Sequence, residues 1–251
     1  MRPAADEPRG STFVVIPGAG GMASYWHRVV PLLEKAHHEK AHDGRARHGK
    51  AHHEVIAVDL PADDARVSLS NYADIVVGAI GTRANVVLVA QSLGGFTAPL
   101  VCARVRVRTL ILVNAMIPRP GETVQSWWQN TGSEDARLKA AQAGGYSPTF
   151  DVATYFLHDV PEAVLRSGPA RPREQTESIF KEPCCFERWP EIPIHVLASA
   201  DDRFFPLEFQ QRVARERLGK ETHVLPGGHL VALARPEELA DALLRLEREP
   251  R

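Results

Sequence analysis

The sequence predicts an α/β chain built on a doubly wound, mostly parallel sheet of about six strands with helices on both faces. Three observations carry this expectation. Six short runs are apolar or nearly so and rich in β-branched residues, at 12–16, 55–60, 86–90, 109–113, 194–198 and 221–225. Continuous rather than alternating apolarity is the mark of strands covered on both faces. Helix-period stretches separate most of the runs, and the residues able to do chemistry fall just after them, where ligands gather on parallel sheets.

Taken in order, Thr12-Phe13-Val14-Val15-Ile16 is a buried strand stopped by Pro17-Gly18, and residues 24–35 show helical periodicity through Trp26, Val29, Val30, Leu32 and Leu33. Between them, Pro17-Gly18-Ala19-Gly20-Gly21 brings bare backbone close to something. No lysine follows to make a phosphate loop, and Ala23 stands where a dinucleotide fingerprint wants its last glycine. Donation of a backbone N–H to an oxyanion fits this loop better, because it requires no side chain.

Residues 34–54 break the pattern. They are almost free of large apolar side chains, repeat Lys-Ala-His from positions 35, 40 and 50, and hold His37, His38, His42, His48, His52 and His53. His38/His42 and His48/His52 have the i, i+4 spacing of metal ligands, but no apolar face fixes such a helix. A flexible, solvated insertion without a metal is expected.

A second strand over 55–61 ends at Asp59 and Pro61, with Asp59 expected to hydrogen-bond neighbouring loop backbone. An amphipathic helix over 69–80 leads to Val86-Val87-Leu88-Val89-Ala90-Gln91-Ser92-Leu93-Gly94-Gly95. This is the layout of a nucleophile elbow, in which a strand turns sharply into a helix and holds one side chain at the tip. Residues two before and two after the serine must be small, and here they are Ala90 and Gly94. A helix to about Arg104 and a strand over 109–113 follow.

Residues 115–190 interrupt the alternation with scattered prolines and aromatics, including Trp127, Trp128, Tyr146, Phe150, Tyr155 and Phe156, and with short helical patches at 149–158 and 161–166. This stretch is expected to form a small helical cap over a pocket. The core then comprises 1–114 and 191–251. The sheet resumes at 194–198, followed by a helix from about Pro206 to Leu218, a strand over 221–225, the turn Pro226-Gly227-Gly228-His229 and a last helix over 236–248.

Bulk properties exclude several function classes. The chain has 251 residues, 44% hydrophobic and 24% charged, with a formal net charge of −1. That charge gives no global reason to expect nucleic acid or an anionic membrane as partner. No signal-peptide core or membrane-length apolar run is present, and three scattered cysteines make no disulfide framework, so a cytoplasmic protein with reduced thiols is expected.

Three candidate parts fall in loops at strand ends: Ser92, Asp202 beside Asp201, and His229. A serine hydroxyl needs an adjacent base, histidine can take and return its proton, and a carboxylate can hold the imidazole in the needed tautomer. Chain order Ser…Asp…His is that of the α/β-hydrolases. The sequence resembles that superfamily over nearly all of 11–247, and within it the compact branch of plant methylesterases, hydroxynitrile lyases and bacterial esterases. The glycine loop at 17–21, Ala90-Gln91-Ser92-Leu93-Gly94-Gly95, Asp201-Asp202-Arg203-Phe204-Phe205-Pro206 and Gly228-His229 carry the resemblance.

The resemblance implies an α/β-hydrolase fold, with the acid four residues before Pro206, which selects Asp202 over Asp201. It also implies Ala19 and Leu93 as oxyanion donors and no cofactor or metal. The expected activity is hydrolysis of a small or medium carboxylic ester or thioester through an acyl-enzyme on Ser92. Lyase chemistry on the same triad and a slow-turnover ligand-binding protein are the alternatives; for the lyase, Arg203 stands where a lysine near the acid is wanted. His195 and His223 are expected to pack within strands, and His158 is placed in the cap.

Overall fold

The computed structural model describes residues 10–38, 51–167 and 173–249. Six parallel strands form one sheet: β1 (Thr12–Ile16), β2 (Glu54–Ala57), β3 (Val86–Gln91), β4 (Thr109–Val113), β5 (Ile194–Ser199) and β6 (Thr222–Leu225). Their spatial order is β2-β1-β3-β4-β5-β6, and every pairing is parallel. Strands β1, β3 and β4 are buried along their whole length, as their unbroken apolar runs require.

Alternate residues of these strands feed two cores. Val14, Ile16, Leu88, Ala90, Leu110 and Leu112 face one layer with α2 (Leu69–Ile80) and α3 (Gly94–Cys102). Phe13, Val15, Val87, Val89, Ile111 and Val113 face the other, against α1 (Val30–Lys35) and, at the chain's end, Leu239, Leu243 and Leu246. The order reverses direction between β1 and β3, so the loops leaving those two strands flank the crevice where ligands bind on open α/β sheets.

The helix expected over 24–35 is split into a 3₁₀ turn at Ala23–Trp26 and α1. Pro31 explains the break, because its ring excludes the carbonyl of His27 and it has no N–H to donate. Proline is tolerated at the start of α1, where that N–H has no intrahelical partner.

Between β4 and β5 lie α4 (Val124–Thr131), α5 (Ser133–Gly144), a π-helical turn at Ala153–Leu157, α6 (Glu162–Ser167) and a 3₁₀ turn at Ser178–Lys181. Thr123 and Ser126 form a reciprocal cap that starts α4. The chain then continues through α7 (Leu207–Leu218), α8 (Val231–Ala234) and α9 (Pro236–Glu247).

The histidine-rich stretch is described only at its ends, where His37–His38 pairs antiparallel with Ala51–His52; the central residues, with His42 and His48, lie outside the described residues. Among the described residues no three His, Cys, Asp or Glu side chains are grouped to hold a metal ion. None of the described helices is long and apolar enough to cross a membrane. The three cysteines are all free.

Candidate active site

The turn after β3 places Ser92 at φ 51°, in the left-handed region that a non-glycine residue enters only when its surroundings impose it. Here the imposition is visible. Ser92 N–H donates to Val113 O at 3.2 Å, and Ser92 O accepts from Gly95 N–H and Met116 N–H at 3.0 Å each. A Cβ on Gly94 would stand 2.8 Å from Pro17 O, which is why the position two beyond the serine must be bare. Ala90, two before it, is fully buried and its methyl fits.

Ser92, His229 and Asp202 come together although they lie on three different loops. Ser92 Oγ is 3.0 Å from His229 Nε2, and His229 Nδ1 is 2.8 Å from Asp202 Oδ2. A carboxylate only accepts, so Nδ1 carries the proton and Nε2 keeps the lone pair that receives the Ser92 hydroxyl. The residues are 8%, 2% and 3% exposed for Ser92, His229 and Asp202, so the chain of hydrogen bonds is shielded from water.

Burying the Asp202 carboxylate is offset by a full set of donors. Its Oδ1 accepts from the N–H groups of Phe204 and Phe205 at 2.9 Å each, and its Oδ2 accepts a longer bond from Gln210 Nε2 at 3.3 Å. Asp201 points elsewhere. Its Oδ2 accepts from Gly227 N–H at 3.1 Å, which pins the loop that carries His229. Asp202→Asn is therefore expected to lower turnover about 10³- to 10⁴-fold by losing the tautomer-setting acceptor. Asp201→Asn should stay within about threefold of the parent, since only one part-buried hydrogen bond is touched and the asparagine carbonyl can still accept it. Steady-state rates on one ester substrate distinguish the two.

The glycine loop rides over the serine: a Cβ on Gly18 would lie 2.9 Å from Ser92 Cβ. Gly21 N–H folds back onto Gly18 O at 3.1 Å, while the N–H groups of Ala19 and Leu93 have no acceptor among the described residues. Backbone donors left without an acceptor are the kind of group a developing oxyanion needs.

Several supporting residues were not legible in the sequence. Asn114, at φ 45° just past β4 and fully buried, donates through Nδ2 to Ser199 Oγ, Gly228 O and His229 O at 2.9, 3.3 and 3.2 Å. Its Oδ1 accepts from Ser199 N–H at 2.8 Å. Gln91 Nε2 reaches the same His229 carbonyl at 3.4 Å. An asparagine directly after an apolar run is the signal that could have found Asn114, because asparagine tolerates positive φ better than most residues.

Aromatic rings cover the histidine. Phe156, from the π-helical turn, stacks on the His229 ring at 5.0 Å and 26°, and Phe204 and Phe205 meet it edge-on at 5.2 Å each. His158 sits against the His229 loop, its Cε1 2.7 Å from where a Gly228 Cβ would be, and Asp159 Oδ2 accepts the Gly228 N–H at 2.6 Å. A surface cavity of about 310 Å³ lined by Trp128, Ser133 and Arg137 does not include Ser92.

The remaining candidates take structural positions. Asp59 Oδ1 accepts the Ala23 N–H at 3.0 Å, as expected for a loop-binding carboxylate. His195 and His223 lie on β5 and β6 with ring centroids 5.6 Å apart. Burial pushes the His195 pKa down despite Glu249 nearby.

The model of the alpha/beta hydrolase family matches residues 13–242. The chain belongs to that family. Solved structures share the hydrolase fold at low sequence identity. A pyrethroid hydrolase from Sphingobium faniae JZ-2 aligns with a TM-score of 0.71 and 21% identity, covering 96% of this chain and 98% of that one. Polyneuridine aldehyde esterase gives 0.71 and 19% over 95% and 99% of the two chains, and a methylesterase from Arabidopsis gives 0.68 and 18% over 94% and 98%. No curated protein matches the sequence.

Proposed function

We propose that this alpha/beta hydrolase is a serine esterase that cleaves a small or medium carboxylic ester or thioester. The observation that carries the reading is the hydrogen-bonded chain Ser92 Oγ–His229 Nε2 at 3.0 Å and His229 Nδ1–Asp202 Oδ2 at 2.8 Å, mounted on a strained elbow. In this reading His229 takes the Ser92 hydroxyl proton as Oγ attacks the ester carbonyl. The tetrahedral oxyanion is held by the N–H groups of Ala19 and Leu93, and His229 returns its proton to the leaving alcohol. Water, activated by the same histidine, then attacks the acyl-Ser92 carbonyl and releases the acid. Asp202 stays ionised and stabilises the imidazolium.

The names of the structural neighbours support ester chemistry: a pyrethroid hydrolase, an aldehyde esterase and a methylesterase. Insertion 115–190 acts as the cap. Its Phe150 and Phe156, which pack against Phe204 at 5.6 and 4.8 Å, favour an apolar acyl or alcohol group over a charged polymer.

Mixing the protein with p-nitrophenyl butyrate is expected to give a burst of one p-nitrophenolate per chain, with a butyryl adduct on the Ser92 peptide by mass spectrometry. Steady turnover by protein whose Ser92 is fully blocked with a fluorophosphonate would overturn the acyl-enzyme. Burial of Ser92 and stacking of Phe156 on His229 also suit a slow-turnover ligand-binding protein. Rapid fluorophosphonate labelling without turnover of any ester in a panel would replace the esterase reading with that one.

A further inference from the structure

The segment that re-enters the described structure at Arg173 crosses directly over the glycine loop, far from it in sequence. Gly20 N–H donates to Gln175 Oε1 at 3.3 Å. Arg173 N–H reaches Met22 Sδ at 3.4 Å, and Arg173 O lies 2.8 Å from where a Cβ on Gly20 would be. Gly20 has φ 84°, so both its conformation and the closeness of the strap exclude a side chain.

The strap is anchored on its other side. The Arg173 guanidinium donates to Leu60 O and, at 2.8 Å, to Asp59 Oδ2, while Asp63 Oδ1 stands 3.8 Å from Nε. Asp59 in turn holds Ala23 N–H through its other oxygen at 3.0 Å, and Leu60 N–H donates to Gly21 O at 2.8 Å. Thr176 N–H donates to Ala62 O at 2.9 Å, and Gln175 Nε2 makes longer contacts of 3.4 Å with Ala62 O and Tyr72 Oη. The glycine loop is thus clamped from above by Gln175 and Arg173 and from the side by Asp59.

The clamp determines which N–H groups the loop has left to offer. Gly21 N–H is taken by Gly18 O, and Gly20 N–H by Gln175. The bond to Gly18 O orients the Gly18–Ala19 peptide, which carries the Ala19 N–H, and the Gln175 bond holds the next peptide, while the Ala19 N–H itself has no acceptor among the described residues. Preorganisation of this kind is what makes an oxyanion donor effective, since no backbone has to reorient as charge develops.

We propose that Gln175 and Arg173 are positioning residues for the oxyanion hole, so that docking of the cap's 173–176 strap onto the glycine loop sets the Ala19 donor. The proposal rests on the serine-esterase reading of the same site. Its consequence is specific to the transition state. The Gln175 side-chain hydrogen bonds go to Gly20, Ala62, Tyr72 and Thr176 and to none of Ser92, His229 and Asp202, so its loss should weaken the developing oxyanion and leave ground-state substrate binding unchanged.

The test uses the full chain with Gln175→Ala, Arg173→Ala and the double variant. Each is assayed for p-nitrophenyl butyrate kinetics and for inhibition by a butyl trifluoromethyl ketone, which forms a tetrahedral adduct with an activated serine. The expected result is about a tenfold fall in kcat for each single variant with KM within about twofold, a matching loss of ketone affinity, and less than additive loss in the double variant. Unchanged inhibition by butyrate, which lacks the tetrahedral centre, would accompany it. Unaltered kcat and ketone affinity in all three variants would overturn the proposal, as would a rise in KM at constant kcat. Full hydrolysis by a Ser92→Ala variant would instead overturn the esterase reading itself, so the two failures are distinguishable.

Discussion

Ser92→Ala is expected to lower kcat/KM on p-nitrophenyl butyrate by about 10⁵- to 10⁶-fold, with the fold intact. The size of the effect follows from the geometry. Without Oγ no acyl intermediate forms, and His229, whose Nε2 faces only that oxygen at 3.0 Å, has no nucleophile to activate. Residual rate should come from the oxyanion donors and binding alone, as in other enzymes stripped of their nucleophile. The fold should survive because every backbone bond that imposes φ 51° on residue 92 is made by N–H and C=O groups that alanine keeps. A thermal melt within a few degrees of the parent, alongside the lost rate, is the expected pair of measurements. Retention of more than about a tenth of the activity would remove Ser92 from the chemistry.

The largest loss of stability is expected at Glu122, remote from the catalytic chain. Its carboxylate pairs with Arg217 of α7, and the two side chains are 4% and 2% exposed. Glu122 Oε1 accepts from Asn130 Nδ2 at 2.8 Å and from Arg217 Nη2 at 3.1 Å, and Oε2 accepts from Arg119 N–H at 3.0 Å. Arg217 also donates to Ile117 O at 2.7 Å. Glu122→Gln keeps the shape and removes the charge, leaving a guanidinium buried without its counter-ion, a change that costs about 3–5 kcal/mol. That is a large part of the 5–15 kcal/mol or so by which domains are usually stable.

The same site carries a pH signature. Burial pushes the Glu122 pKa up, but hydrogen bonds from Arg217, Asn130 and the Arg119 N–H outweigh it, so the folded value lies below the ordinary 4.5. A depressed folded pKa gives stability that is complete above the unfolded value and is lost as pH falls through the folded one. Denaturant melts should therefore show the full gap between parent and Glu122→Gln above pH 4.5, closing progressively below it. A gap of the same size at every pH would show that the charge on Glu122 is not what stabilises the fold.

Strands β1, β3 and β4 were legible because burial on both faces demands unbroken apolar runs, as in Thr109-Leu110-Ile111-Leu112-Val113. The region after β4 was much less so. Helix α5 buries only Ser133 and Ala141, so it carries almost no apolar stripe to read, and α4 declares itself mainly through the Thr123–Ser126 cap. Ser92 and His229 could be placed because each stands on a glycine-flanked turn, and Asp202 because the adjacent sequence repeats a family pattern. Asn114 and Gln175 act through partners 85 and 155 residues away, and no local pattern encodes such a contact.

The short ladder at the edge of the histidine-rich stretch has a practical consequence. His37 faces His52 and His38 faces Ala51, so the two ends of residues 39–50 are already held side by side by the fold. Closing a longer connection between them costs little, about 0.6 kcal/mol for each doubling of its length. A reporter domain or an affinity handle spliced between His38 and Ala51 would therefore join chain ends that the ladder already pairs.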